Sequence, residues 1–265
     1  MTAPGGETNM LQIDVGTGLK GSTSMDSRRN RLLASLPAPD LALIARHLKR
    51  VPLDHGAVLQ EQDAPVELVY FPLSGAVSLL AVMQSGDAVE TAIVGHEGAV
   101  GLFADLGPWQ ACTRAIVQTP GIAECIPASV LKTIAGQSPE ISRSLLRYKE
   151  ALSAQVQQTA ACNALHSVEE RMARWLLQAL DRCDDGELAV TQDFLSQMLG
   201  VRRTTVTIVA RKFQYDGLIR YRRGRIVVVN RSELQKLACE CYATCRRRSE
   251  AIMQVPEIAA CKQSA

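Results

Sequence analysis

Long hydrophobic runs are missing from this sequence. No stretch approaches the ~18 uninterrupted apolar residues of a membrane helix, so no membrane span is expected. A dominant charge is missing too: 29 basic residues stand against 27 acidic ones, a net +2. That excludes a chain basic throughout but leaves room for a local basic patch. Eight cysteines are present, Cys112, Cys125, Cys162, Cys183, Cys239, Cys241, Cys245 and Cys261, yet no CxxC pair occurs. Its absence weakens the zinc and dithiol-redox readings. The first residues, MTAPGGETNMLQIDVGTGLKGSTSMDS, lack a basic start followed by an apolar block, so no secretory leader is expected. The expected location is the cytoplasm, where cysteines stay reduced.

What is there suits a globular protein. Hydrophobic residues make up 47% of the 265 and charged ones 21%, and the length suggests two domains at ~150 residues each. Residues 1–26 are rich in Gly, Ser and Thr and are expected to form a disordered tail. LLASL and LALIARHL then carry helical spacing, separated by Pro37 and Pro39. From about residue 51 short β-branched segments follow, VELVYFPL, AVSLLAVM, AVETAIV, CTRAIVQ and GIAECI. Turns are expected between them at His55-Gly56, Ser74-Gly75, Ser85-Gly86-Asp87, Gly95-His96-Glu97-Gly98 and Pro120-Gly121. This pattern predicts an antiparallel sandwich or rolled sheet.

Helical spacing returns after residue 127, with Ser129 able to cap a short helix. A longer helix follows Pro139, where Ile141, Leu145, Tyr148, Leu152 and Val156 recur at steps of four and three. That narrow seam suits a two-helix contact, so a dimer seam is expected. The plainer alternative is a helix lying on its own sheet. SVEE opens another helix with a capping box of Ser167 and Glu170, followed by a buried stripe of Val168, Met172, Trp175, Leu176 and Ala179. Asp184-Asp185-Gly186 ends it.

Residues 190–230 carry the functional signal. Thr191 is a good cap for TQDFLSQML, whose inner face is Phe194, Leu195, Met198 and Leu199. Gly200 supplies a tight turn. The next helix, VRRTTVTIVARKFQYDG, turns Val206, Val209 and Phe213 inward, with Leu218 and Ile219 packing behind. Its other face shows Arg203, Thr204, Thr207, Ile208 and Arg211. This is the order of a helix–turn–helix, whose second helix can enter a DNA major groove. Arg202, Arg203, Arg211, Lys212, Arg220, Arg222, Arg223, Arg225 and Arg231 crowd this stretch against a lone Asp216. Double-stranded DNA is the partner expected for such a field. RYRRGRIVVV reads as a basic hairpin with Gly224 at its tip.

The order of rolled sheet, long helix and winged helix–turn–helix resembles the Crp/Fnr family of bacterial transcription regulators, from about Arg28 to Arg231. TQDFLSQMLGVRRTTVTIVARKFQYDGLIRYRRGRIVVV is similar to the family's DNA-binding signature. GHEGAVGLF is similar to the glycine-rich segment of its cyclic-nucleotide-binding roll. The resemblance implies an α+β fold with the roll over 27–136, a dimerisation helix over 137–164, a winged helix–turn–helix with a C-terminal helix over 165–250, and a tail over 251–265. It implies a homodimer on a two-fold DNA site, contacting RNA polymerase. It places Arg203, Thr204, Thr207 and Ile208 at base edges, and Arg202, Thr205, Arg211, Arg222, Arg223 and Arg225 at phosphates.

The effector segment departs from the cyclic-AMP pattern. Ala99 stands where those relatives have a ribose-binding Glu, and Trp109 and Gln110 stand where they have a phosphate-binding Arg-Ser pair. Without a bidentate Arg the usual cyclic-AMP pose is not expected. The effector pocket is expected at Gly98, Ala99, Val100, Trp109, Gln110 and Arg114, with no cofactor named. The alternative function is a small-molecule or thiol sensor acting through protein contacts. Among Cys239, Cys241 and Cys245 only the last two share a helical face, and none of His47, His55, His96 and His166 has metal-binding spacing with another His. Buried thiols are the plain reading there. No metal site and no catalytic set are expected.

Overall fold

The computed structural model describes residues 27–102, 110–183 and 186–253. The tail expected over 1–26 lies outside these residues, as do Trp109, Asp184, Asp185 and residues 254–265.

Two short helices come first, α1 (Arg31–Ala34) and α2 (Ala38–Ala45). Asn30 caps α1, its Oδ1 accepting from the Leu33 amide at 3.1 Å. Pro39 sits in the first turn of α2, where a missing N–H costs nothing. Five antiparallel strands follow: β1 (Lys49–Leu53), β2 (Val58–Gln60), β3 (Leu68–Val82), β4 (Ala88–Val94) and β5 (Arg114–Pro127). Their order is β1-β5-β3-β4, with β2 also on β5.

β3 and β5 are each about twice as long as the segments read from sequence, at 15 and 14 residues. The turns expected at Ser74-Gly75 and Pro120-Gly121 are instead bends inside paired strands, where the register shifts between Pro72 and Val77. A Cβ on Gly121 would lie 2.2 Å from the Ser74 carbonyl oxygen, and one on Gly75 2.5 Å from that of Thr119. Only glycine lets the two backbones approach so closely, so these residues roll the sheet rather than reverse the chain.

Helix α3 (Ala128–Gln137) begins directly after Pro127, and the expected Ser129 cap is not used. Ser138 caps the long helix α4 (Pro139–Leu165), accepting from the Ile141 amide at 3.2 Å. Its 27 residues span ~40 Å. The Ser167–Glu170 capping box forms at the start of α5 (Val168–Leu180), with both reciprocal bonds present.

The rest is α6 (Gln192–Leu199), α7 (Arg203–Tyr215), α8 (Arg231–Leu237) and α9 (Cys241–Met253), with a small sheet of β6 (Glu187–Ala189), β7 (Ile219–Arg222) and β8 (Arg225–Val228) in the order β6-β8-β7. The expected hairpin thus gains a third strand. The single helix expected around the C-terminal cysteines is two, and Cys239 lies in the break. Residues 251–253, expected as tail, belong to α9.

Two apolar cores organise the chain. One joins the roll to α1, α2, α3 and α4. The other is built by Trp175, Met198, Val206 and Phe213, and takes in Ala76, Leu80 and Ile93 from the outer face of the roll. The expected dimer seam belongs to the first core. Ile141, Tyr148 and Leu152 are buried against the chain's own sheet, with Leu145 and Val156 packed partly against it. The plainer alternative for that stripe is the correct one, because the roll needs an apolar lid. The face of α4 left to solvent carries Leu146, Gln157, Ala160, Ala161 and Ala164, and Leu146 is 58% exposed.

Candidate nucleic-acid interface

The interface is built from α6, α7 and the β7–β8 hairpin. Thr191 caps α6 by accepting from the Phe194 amide at 3.1 Å. Gly200 ends it in the left-handed conformation, φ 61° and ψ 40°. A side chain would be strained there and would press on Val89 of the roll. Leu195, Met198, Leu199, Val206, Val209 and Phe213 are buried as expected, and Phe194 is partly buried beside the Trp175 ring. Buried Arg171, which no sequence signal marked, donates from Nη2 to the Leu199 carbonyl. It ties the C-terminal end of α6 to α5, where a cation also suits the helix dipole.

α7 turns its polar face outward. Arg202, Arg203, Thr204, Ile208 and Arg211 are exposed, and Ile208 is 68% exposed. An apolar side chain held in water on a polar helix face fits contact with thymine methyls. Arg203 lies 3.3 Å from Asp193 with both groups in solvent. Such a pair contributes ~0–1 kcal/mol, so the guanidinium can turn to a ligand at little cost. Thr207 and Thr205 are less open. The Thr207 hydroxyl lies 2.7 Å from Gln192 Oε1 and 3.0 Å from the Arg203 carbonyl, and donates its single proton within that pair of acceptors. Gln192 and Asp193, both missed in the sequence, therefore shape this surface from the first turn of α6.

The hairpin turns at Arg223 and Gly224, φ 50° and 74°, between the paired Arg222 and Arg225. Two successive positive φ values define the tight turn that matches strand twist. Arg223 holds a conformation that glycine or asparagine would adopt more easily. Arg220, Arg222, Arg223 and Arg225 are exposed, and Arg225 lies 3.4 Å from Glu187.

The effector residues are not brought together as expected. An apolar cavity of about 200 Å³ does open in the roll, lined by Ala99, Val66, Leu79 and Ala111 and closed by Leu152 and Val156 of α4. Of the described residues expected at the pocket, Ala99 alone lines it. Gln110 is exposed and pairs with Pro65. Arg114 Nε donates to Glu61 at 2.6 Å. Gly98 packs under Tyr148, where a Cβ would overlap the ring. Val100 is buried on Tyr70. Trp109 lies outside the described residues.

The glycine segment instead docks the two halves of the chain. Glu97 accepts from Arg182 at 2.6 and 2.8 Å. Burial alone would raise its carboxyl, but the Arg182 charge and hydrogen bonds outweigh that and hold it below the ordinary carboxylate range. Elsewhere thiols and a histidine meet where the sequence led to no expected metal site. The fold gathers Cys162, His166, Cys239 and Cys241.

This geometry defines a β-roll protein with a winged helix–turn–helix. Residues 170–237 match the Crp-like helix-turn-helix domain. The chain is 26% identical over 200 residues to the CRP-like cAMP-activated global transcriptional regulator of Mycobacterium tuberculosis, covering 73% of this chain and 89% of that one. It is also 26% identical to the transcriptional activator protein anr of Pseudomonas aeruginosa, covering 77% and 86%. Its fold is that of FixK2 from Bradyrhizobium japonicum, with TM-score 0.62, 20% identity and coverage of 72% and 98%. A CRP/FNR-family transcriptional regulator of Thermus thermophilus aligns at TM-score 0.57 and 25% identity, covering 72% and 98%. In fold and in its DNA-binding domain the chain is similar to regulators of the Crp/Fnr type.

Proposed function

We propose that the chain acts as a homodimer that binds a two-fold DNA site, reads it with α7 and grips the flanking backbone with its basic hairpin. The observation that carries this reading is the open row of Arg203, Thr204 and Ile208 on α7 beside exposed Arg222, Arg223 and Arg225. Arg203 reads guanine, Thr204 and Ile208 meet thymine methyls, and Thr207 contributes while held by Gln192. Arg202, Thr205, Arg211 and the hairpin arginines hold phosphates. The dimer forms through the small-residue face of α4 rather than through the stripe spent on the roll. The complex works in the cytoplasm by contacting RNA polymerase, with no catalytic role.

The roll is not controlled by cyclic AMP in the family's usual pose. Ala99 offers no ribose ligand, Arg114 is already paired, and the cavity walls are mostly apolar. A buried cyclic phosphate would lack the charge-assisted partner it needs. An effector of this cavity is a small apolar molecule.

Selection of bound genomic fragments by the purified protein, followed by titration on the selected duplex, tests the reading. Affinity should fall steeply with salt, and Arg203→Ala should weaken the selected site. Binding indifferent to both would overturn it.

A further inference from the structure

Four side chains far apart in sequence meet at the hinge between α4 and α5. Cys162 and His166 sit one turn apart at the end of α4. Cys239 comes from the break between α8 and α9, and Cys241 is the first residue of α9. Their ligand atoms all lie within 4.8 Å of one another. Cys162 Sγ is 3.5 Å from Cys239 Sγ, and Cys241 Sγ is 3.6 Å from His166 Nδ1. A tetrahedral zinc ion with Zn–S of ~2.3 Å and Zn–N of ~2.0–2.1 Å needs S···S and S···N edges of roughly 3.8 and 3.6 Å. An iron–sulfur cluster spreads its thiolates over several irons, and so over longer distances than this group allows.

The surroundings are those of a supported metal site. His166 Nε2 lies 3.2 Å from Glu240 Oε2, which turns Nδ1 toward the sulfurs. A carboxylate behind a ligating histidine is the usual way to fix its tautomer. Gln158 Nε2 donates to Cys241 Sγ at 3.0 Å. All three cysteines are buried. The buried Arg174 guanidinium acts on Cys162 electrostatically.

We propose that Cys162, His166, Cys239 and Cys241 bind one zinc(II) ion in a closed Cys3His site that pins α9 to the end of α4. Binding releases the thiol protons to solvent, and zinc with three thiolates carries a net charge of −1, which Arg174 offsets. Four ligands fill the tetrahedron, so the ion is structural and leaves no open position for chemistry. Its place at the hinge means that occupancy fixes how the DNA-binding half leaves the long helix.

The test uses the full chain, purified under reducing conditions without chelator. Mass-spectrometric metal analysis should give about one zinc per chain. Cobalt(II) in its place should show the visible bands of four-coordinate cobalt and a thiolate-to-cobalt charge-transfer band. Cys239→Ser and Cys241→Ser should abolish stoichiometric zinc, His166→Cys should retain it, and Cys112→Ser, outside the group, should leave it unchanged. Far-UV circular dichroism separates loss of metal from loss of fold. Removing zinc should quicken amide exchange over residues 238–253. No uptake of zinc or cobalt by reduced wild-type protein would overturn the proposal. So would iron with acid-labile sulfide, or a Cys162–Cys239 disulfide whose reduction restores no metal binding.

Discussion

Arg203, proposed above to read a base, is held by little before DNA arrives. Its ion pair with Asp193 is solvent-exposed and cheap to exchange. Arg203→Ala should cost about 1–3 kcal/mol on the selected duplex and relax one base position, measured by fluorescence anisotropy on single-substitution duplexes. A buried carboxylate behaves in the opposite way. Glu90, held by the Ser78 hydroxyl at 2.5 Å, is raised by burial from 4.5 to about 7. The folded state therefore holds its proton more tightly than the unfolded state. Stability contributed by this group should fall as pH rises from about 4.5 to about 7, then level off. Glu90→Gln should flatten that slope and raise the midpoint of urea unfolding at neutral pH. An unchanged pH profile would remove Glu90 as its source.

Among the elements, the hairpin separates charge from turn chemistry. Arg223 carries a cation in a backbone conformation better suited to asparagine. Arg223→Asn should keep or slightly raise thermal stability while weakening all DNA sequences alike and lowering the salt slope by about 1. The long helix divides its faces in the same way. Ile141, Tyr148 and Leu152 serve the roll, and Leu146 stands free beside a row of small residues. Leu146→Glu should shift the chain toward monomer in sedimentation velocity with little change in its melting temperature. Loss of fold without loss of dimer would reverse that assignment of faces.

Across the molecule, the glycine segment of the roll meets both the long helix and the DNA-binding half. Gly98 lies against the Tyr148 ring, Glu97 holds Arg182, and Gly95 leaves room for the Arg182 stem. The roll thereby touches the end of α5 and, through Val89, the Gly200 turn. Gly98→Ala should displace Tyr148 and destabilise the fold by about 1–3 kcal/mol in denaturant titration, the usual cost of overpacking a close contact. Val89→Ala should leave the roll folded and alter DNA affinity if this contact carries the coupling.

The helix–turn–helix was legible because its signals are local. The Thr191 cap, the Gly200 turn, the inward spacing through Phe213 and the Gly224 hairpin each lie within a window of a dozen residues, where helix period and turn chemistry act directly. The same holds for the Ser167–Glu170 box. Tertiary packing decided what local pattern cannot encode. A stripe of apolar residues states that a helix has a buried face, not what covers it, and the roll covered the face of α4 that looked free for a partner. A glycine states that a side chain would not fit, not whether the chain turns or bends, and Gly75 and Gly121 bend. Cys162 and Cys239 are 77 residues apart, and no period relates them. Only the packing of α9 along α4 brings their sulfurs together with His166.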